Sequence, residues 1–171
     1  SCLCGAVRFR LSAEPVATRI CWCRDCQRLA ANGTVNLMVP SDALDISGTL
    51  GEYTKTSDSG NQVRRRFCPT CGTQLFANSS GRPQFTVLRV GTLDDPSSVR
   101  PTANIWASSA PAWACLDPAL DRVDKQPAPP AGASCGSSAW ASCCGTRGVP
   151  RGARPPPSMS LISSSTPEPE R

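Results

Sequence analysis

The chain has 171 residues, which is enough for one domain with its own core, and this length argues against two domains. Its 11 cysteines and its lack of histidine exclude a histidine proton shuttle and direct attention to thiol or metal chemistry. A net charge of +5 compels no polyanionic partner, and no stretch approaches the roughly 18 apolar residues that span a bilayer. Because no basic region followed by an apolar run opens the chain, we predict a soluble, cytoplasmic protein with no membrane partner.

Up to about residue 126, short apolar alternations broken by turn residues predict an all-β domain. The runs AVRFRL and TVNLMV alternate apolar and other residues, as half-buried strands do. Further strands are predicted at EYTKT, VRRRF, TQLFA, QFTVLRVG and ANIWAS, with turns at SDSGN, NSSGRP and LDDPSS. Only Cys26 to Ala31 is predicted to form a short helical turn, which the following Asn-Gly would end.

Residues 127 to 171 differ in composition from the rest of the chain. These 45 residues hold nine prolines, nine serines and five glycines, with few aliphatic side chains and no sustained period. Such a segment buries too little apolar surface to offset its ordering entropy, so we predict a disordered tail that follows a domain at residues 1 to 126. The adjacent Cys143 and Cys144 are predicted to be an incidental exposed thiol pair.

The strongest single signal is FCPTCG, which holds Cys68 and Cys71. A C-x-x-C pair followed by glycine is the tight turn in which backbone amides point at two sulfurs, and it supplies half of a zinc site. The run CLC can supply the other half, because alternate residues of a strand point the same way and can bend together at its end. We therefore predict a closed, four-coordinate structural zinc site at Cys2, Cys4, Cys68 and Cys71.

Three grouped cysteines then remain, Cys21, Cys23 and Cys26 in CWCRDCQRL. One loop can wrap them around a second zinc ion, and nothing obvious fills the fourth position. Three protein ligands and one exchangeable ligand are the arrangement of catalytic zinc. The sequence thus predicts two zinc ions per chain, one structural and one reactive.

Three other interpretations of the cysteines stay open at the level of sequence. Short spacings fit a metal better than a set of disulfides, but disulfides are an alternative. Cys23 and Cys26 form C-x-x-C, a redox motif that belongs at a strand-to-helix junction of a βαβ unit, which this chain lacks. Alternatively, Cys21 and Cys26 could join the Cys68 and Cys71 turn and leave the N-terminal pair free.

The segments SCLCGAVRF, CWCRDCQR, SGNQVRRRFCPTCGTQLF and NIWASSAPAW resemble, in order and spacing, the glutathione-dependent formaldehyde-activating enzyme family, which also includes centromere protein V. The resemblance covers roughly residues 1 to 126. It implies a zinc-bridged antiparallel β fold, the β-tent, with structural outer cysteine pairs and a reactive zinc at the middle triplet. It also implies that glutathione adds to formaldehyde, or to a similar carbonyl, to give S-hydroxymethylglutathione in a carbon-sulfur lyase reaction.

This chain departs from the family pattern at two positions. The family usually has histidine between the first two cysteines of the triplet and before Ile-Trp, where this chain has Trp22 and Asn104. The metal ligands are retained, so the departures affect the histidines' possible roles in proton transfer and substrate orientation. The catalytic residues are therefore not predicted: the candidates for proton transfer are Asp25, Tyr53, a terminal group or water, and the sequence favours none of them.

The candidates for binding glutathione's carboxylates are Arg24 and Arg28 beside the triplet and the run Arg64 to Arg66 before the Cys68 turn. Trp22, Trp106 and Trp113 are predicted core aromatics, and Trp106 alone has a motif that suggests a pocket wall. A rival hypothesis is a catalytically silent zinc module that binds glutathione, protein or nucleic acid. Three adjacent arginines on a strand alternate sides and cannot all face one phosphate track, so nucleic acid is not the predicted partner.

Overall fold

The computed structural model describes residues 1–127, which form ten strands and one α-helix. Residues 128–171, which are the predicted tail except for Pro127 and include Cys143 and Cys144, lie outside the described residues. The helix α1 spans Arg24–Ala30. The strands are β1 (Arg8–Leu11), β2 (Ala17–Cys21), β3 (Thr34–Pro40), β4 (Leu44–Ser47), β5 (Gly51–Thr56), β6 (Gln62–Phe67), β7 (Gln74–Ser79), β8 (Phe85–Arg89), β9 (Ala103–Ile105) and β10 (Asp121–Val123). Among these residues, no helix is long and apolar enough to cross a membrane.

Eight of the strands form one sheet in the order β10-β9-β2-β3-β8-β7-β6-β5, and β1 pairs with β4 separately. The predicted all-β class is confirmed, and most strand pairs are antiparallel. At one edge of the large sheet the pairing is parallel, because β9 runs in the same direction as both β2 and β10. Parallel neighbours need a crossover connection rather than a hairpin, and residues 106–120 provide it between β9 and β10.

The main core lies between the large sheet and the β1–β4 pair. Apolar side chains of β1 and β4 pack against Leu37, Leu75 and Leu88 of the large sheet. The rings of Phe9 and Phe76 meet edge to face at 5.4 Å. The alternation in AVRFRL and TVNLMV therefore predicts correctly which faces turn inward.

A second, smaller core lies where β2, β9 and β10 run side by side. Cys21, Cys26, Ala103 and Ile105 are its buried members, and Trp106 packs against them half-buried. The cysteine triplet thus belongs to the parallel edge of the sheet and not to the main core.

Helix α1 begins two residues before the predicted start at Cys26, because Cys23 caps it. The Cys26 backbone N–H donates to the Cys23 sulfur at 3.5 Å, which takes the place of the usual hydroxyl or carboxylate cap. The helix ends at Ala30, and the capping residue Ala31 has a left-handed φ of 56°. The predicted Asn-Gly stop follows it. Cys23 therefore has two roles: it fixes where the helix begins, and it contributes one sulfur to the triplet.

Candidate metal centres

The first cluster joins the start of the chain to the C-x-x-C turn. The sulfurs of Cys2, Cys4, Cys68 and Cys71 all lie within 4.8 Å of one another. The Cys4 sulfur is 3.6 Å from that of Cys2 and 3.7 Å from that of Cys68. The structure therefore groups the four cysteines as the spacing predicts, and it does not show the alternative in which Cys68 and Cys71 meet the triplet.

The N-terminal pair lies in a turn before β1, so its predicted position on a strand is wrong. The Cys2 N–H donates to the Val7 carbonyl at 2.9 Å, and the Gly5 N–H donates to the Cys2 carbonyl at 3.1 Å. Gly5 and Gly72, which follow the two cysteine pairs, both adopt a φ of 73°, the left-handed region that favours glycine. Each pair is thus brought together by the same kind of glycine turn.

Thr73 links the two turns, and the sequence gives no signal for this role. Its hydroxyl lies 3.1 Å from the Cys71 sulfur and accepts the Leu3 N–H at 3.2 Å. The hydroxyl and backbone of Thr73 lower the pKa of Cys71 to about 5. The Ala6 N–H lowers the pKa of Cys4, but desolvation and the neighbouring sulfurs outweigh it and raise that pKa to about 11. Without a cation, the cluster thus holds some of its sulfurs as neutral thiols.

The second cluster is the triplet. The sulfurs of Cys21, Cys23 and Cys26 also lie within 4.8 Å of one another. Cys21 ends β2 opposite Thr34 of β3, Cys23 caps α1, and Cys26 lies in its first turn. Cys21 and Cys26 are buried whereas Cys23 is half-buried, so the cluster is open to solvent on the Cys23 side. Every cysteine among residues 1–127 is a free thiol, which does not support the disulfide interpretation.

The electrostatics of the triplet concentrate negative charge on Cys26. Hydrogen bonds from the Cys21 and Cys23 thiols, against the cost of desolvation, lower the pKa of Cys26 to about 2, and the charge of Arg89 contributes. Hydrogen bonds to Cys23 and Cys26, together with burial, raise the pKa of the Cys21 thiol. The triplet therefore carries one negative charge readily, on Cys26. Ionisation of Cys21 and Cys23 as well is unfavourable unless a cation lies between the sulfurs.

Arg89 is a site residue that the sequence analysis did not single out. It ends β8, and its Nη1 lies 3.9 Å from the Cys26 sulfur while donating to the Thr34 hydroxyl at 3.0 Å and to the Asn36 side-chain oxygen. Arg89 and Thr34 line a groove of about 500 Å³ that also borders Leu29 and Thr73. The sequence signal for Arg89 was its position within the apolar run QFTVLRVG, because a charged side chain inside a buried strand is usually paired with a polar or charged group.

The two departures from the family pattern are in contact with each other. The indole Nε1 of Trp22 donates to Asn104 Oδ1 at 3.1 Å, and both residues are buried. The Trp22 backbone N–H also donates to the Ile105 carbonyl at 2.9 Å. Trp22 is therefore a core aromatic, as predicted, whereas Trp113 is 69% exposed and is not.

The candidate arginines separate onto different surfaces. Arg64 pairs with Glu52 at 3.6 Å on an exposed face, and the Arg66 guanidinium lies 5.1 Å above the ring of Phe76. Arg24 hydrogen-bonds Gln27. The other two candidates, Arg28 and Arg65, line a cleft of about 270 Å³ beside α1. The walls of this cleft are Asp25, Arg28, Leu29, Tyr53, Lys55 and Arg65.

The described residues therefore form a cysteine-rich β-domain with one four-thiol and one three-thiol cluster, each able to hold a metal ion. The family model described as glutathione-dependent formaldehyde-activating enzyme matches residues 1–109, and the chain belongs to that family. This membership confirms the resemblance seen in the sequence.

Two individual proteins resemble the chain in part. A Halomonas elongata protein with the name "Putative glutathione-dependent formaldehyde-activating enzyme" is 33% identical over 84 residues, which are 44% of this chain and 52% of that protein. The chain thus matches about half the length of this relative. A crystal structure of a Rhodobacter sphaeroides protein has a TM-score of 0.46 at 22% identity and covers 59% of this chain and 89% of its own.

Proposed function

We propose that the protein is a zinc-dependent carbon-sulfur lyase that joins the thiol of glutathione to formaldehyde or a similar carbonyl, as an S-(hydroxymethyl)glutathione synthase does. One observation carries the proposal: in a chain of this family, three sulfurs converge, and Arg89, which is 3.9 Å from one of them, lines an open groove. Among the described residues, no fourth ligand joins these sulfurs, so one coordination position is available to a substrate. The cytoplasmic location and the domain boundary at residue 126 stay predictions.

The donor sets fit zinc. Both clusters consist of sulfur alone, which suits a soft or borderline metal and not magnesium or calcium. We assign two zinc ions per chain, a closed structural one at Cys2, Cys4, Cys68 and Cys71 and an open reactive one at Cys21, Cys23 and Cys26. The geometry of the thiols supports this assignment, because the sulfurs of each cluster lie within 4.8 Å of one another.

The reaction itself needs a thiolate near neutral pH. A thiol bound to zinc is deprotonated, which is the chemistry that the metal supplies when it is present. The sulfur of glutathione then forms a bond to the carbonyl carbon, the π electrons of the carbonyl move to its oxygen, and this oxygen takes a proton. In the lyase direction, the hydroxyl oxygen loses its proton and reforms the carbonyl double bond, and the carbon-sulfur bond breaks with its electron pair left on the sulfur.

Arg89 has the position to balance the charge of the reactive cluster. Three thiolates and a divalent ion carry a net charge of about −1, which would oppose the approach of an anionic thiolate. The Arg89 guanidinium, 3.9 Å from the Cys26 sulfur, offsets this charge from within the groove. The same negative cluster charge makes a hydrolytic role, in which water is acidified, a poor fit.

The proton acceptors and donors predicted from the sequence do not fit equally well. Desolvation raises the pKa of Asp25, but the hydrogen bond from Lys55 and the charge of Arg65 outweigh it and lower that pKa. Asp25 is thus an ionised carboxylate held by two cations at 2.8 Å, which makes it a poor proton donor. Tyr53 lines the cleft and is exposed. We therefore propose that water carries the proton.

A catalytically silent module is the second candidate, and one observation favours it. Trp22 and Asn104 occupy the two positions where the family usually has histidine, and they bond to each other instead of presenting an ionisable group. A nucleic-acid module is less well supported, because Arg64, Arg65 and Arg66 face different surroundings. A silent protein would bind zinc and glutathione without turnover.

The decisive experiment follows the formation of S-hydroxymethylglutathione from labelled formaldehyde by exchange NMR, with the zinc-loaded protein and without it. We expect the protein to raise the exchange rate above the uncatalysed background and Cys23→Ser to abolish the increase. Zinc content and glutathione binding are measured on the same samples. Normal zinc content and glutathione binding with only the background rate would overturn the lyase and establish the silent module.

A further inference from the structure

We propose that Asn36 of β3 is a positioning residue for the three-thiol cluster, because it holds the Thr34 hydroxyl and the Arg89 guanidinium in place. Both of these groups contact the Cys26 sulfur, so Asn36 acts on the cluster through them and sets how firmly the cluster retains a metal ion. The inference rests on the proposed function, since it concerns the ion that we assign to this cluster.

The pairing of the strands places these polar side chains on one face of the sheet. Thr34 and Asn36 are two residues apart on β3, so their side chains point to the same side. Arg89 lies directly opposite Asn36 on β8, and Cys21 lies directly opposite Thr34 on β2. Leu37, between the two polar residues, points the other way into the main core. One face of these three strands thus carries both the polar residues and a cysteine of the triplet.

The three polar side chains form a closed ring of hydrogen bonds. The Asn36 amide Nδ2 donates to Thr34 Oγ1 at 3.0 Å, and its Oδ1 accepts from Arg89 Nη1. The same Nη1 also donates to Thr34 Oγ1 at 3.0 Å. The Thr34 hydroxyl, which is 8% exposed, therefore accepts two hydrogen bonds, and its own hydrogen is available to donate.

Two members of this ring reach the Cys26 sulfur. The Thr34 hydroxyl is hydrogen-bonded to this sulfur, and Arg89 Nη1 lies 3.9 Å from it. The two hydrogens of Nη1 go to Thr34 and Asn36, so the arginine acts on the sulfur mainly through its positive charge. Such groups outside a metal site orient the ligand and offset the negative charge of a complex with three thiolates.

A matched network elsewhere in the sheet provides the comparison. Arg66 Nη2 donates to Asn78 Oδ1 at 3.0 Å, and Asn78 Nδ2 donates to Thr86 Oγ1 at 2.7 Å. The same three residue types are thus linked through an asparagine, but this guanidinium lies over the ring of Phe76 and not beside a sulfur of the triplet. Variants of the two asparagines therefore separate the effect of such a network on the fold from its effect on a metal ion.

The test loads the full-length protein with cadmium-113, a soft ion that thiolates bind, and records its NMR spectrum. The resonance of this ion depends on its ligands and their surroundings, so the two clusters give separate signals. We expect Asn36→Ala to shift the signal of the three-thiol cluster and to leave that of the four-thiol cluster unchanged. In competition with a chelator, the same variant should retain the ion of the three-thiol cluster roughly 10- to 100-fold less tightly, the usual effect of losing an outer hydrogen-bond partner.

Two further comparisons complete the test. Asn78→Ala should change neither signal, although it removes the same kind of hydrogen bonds. Arg89→Lys, which keeps the positive charge, should retain the ion more tightly than Arg89→Met, which removes the charge. Equal retention in these two variants would overturn the contribution of the charge.

The role of Asn36 is overturned if Asn36→Ala retains the ion as the unaltered protein does, or loses it only as much as Asn78→Ala does. Loss of both signals from Asn36→Ala would also overturn it, because Asn36 would then serve the whole fold. Formaldehyde exchange on the same samples separates this inference from the lyase. If the ion is weakened as expected while the unaltered protein stays at the background rate, the role of Asn36 holds and the lyase does not. An unaltered protein whose three-thiol cluster binds no ion would overturn both.

Discussion

Trp22 and Asn104 join the loop of the three-thiol cluster to strand β9 through a buried hydrogen bond of 3.1 Å from the indole N–H to the amide oxygen. Trp22 lies between two of the three clustered cysteines, and Asn104 is 1% exposed. Its side-chain amide also donates to the Asp117 carbonyl at 3.5 Å. Trp22 and Asn104, which stand where the family usually has histidine, therefore anchor the loop of the cluster to the sheet.

Replacing Asn104 with alanine should destabilise the protein by about 1–3 kcal/mol, because the buried indole N–H loses its acceptor. Gln126→Ala is the matched control, since Gln126 accepts the indole N–H of Trp106 at an exposed position and its loss should cost under about 0.5 kcal/mol. Denaturant unfolding of the zinc-loaded variants measures both changes. Equal stability of the two variants would show that the buried bond does not stabilise the loop.

The two clusters should respond differently to the loss of one ligand. Cys71→Ser removes a link between the N-terminal turn and the C-x-x-C turn, so the protein should unfold or become insoluble. Cys23→Ser affects a cluster formed by one local segment, and serine is itself a good helix cap, so the fold should survive with one zinc fewer.

Circular dichroism, zinc content and formaldehyde exchange on both variants check this assignment. Cys115→Ser is the control, because this exposed thiol belongs to neither cluster and its loss should change none of the three measurements. If Cys23→Ser unfolds the protein while Cys71→Ser stays folded, the structural and reactive roles are reversed.

Thr73→Val should weaken zinc retention at the four-thiol cluster. The hydroxyl contacts the Cys71 sulfur and accepts the Leu3 N–H, and loss of such an outer hydrogen bond typically costs about tenfold or more in metal affinity. Competition with a coloured chelator measures the effect. Thr70→Val, an exposed change between the two cysteines of the same turn, should retain wild-type affinity. Identical zinc loss from both variants would remove Thr73 from this role.

Elemental analysis of protein purified without a chelator should return two zinc ions per chain. Removing residues 127–171 should leave this number and the unfolding midpoint unchanged, because that segment has neither the periodicity nor the ligand spacing of a core or a site. One zinc ion or none would refute the two-site assignment. A truncated protein that precipitates would place the tail within the domain.

Local spacing was sufficient to predict the two groups of cysteines that lie together and the strands with clear alternation, such as β1 and β3. It failed for β2, whose ATRIC sequence has no clean alternation, and for the short strands β4 and β10, which tertiary pairing forms. Arg89, Thr73 and Lys55 reach their partners across 63, 70 and 30 residues, so no local pattern could reveal them.

The small core at the parallel edge of the sheet has a kinetic consequence. Regions with little buried apolar surface open at a lower free energy than the rest of a domain, and four buried residues form this core against nine in the main one. Amide protons of β9 and β10 should therefore exchange with solvent faster than those of β3 and β8. If each cluster holds a zinc ion as proposed, the ion of the three-thiol cluster should therefore exchange with added zinc faster than the ion of the four-thiol cluster.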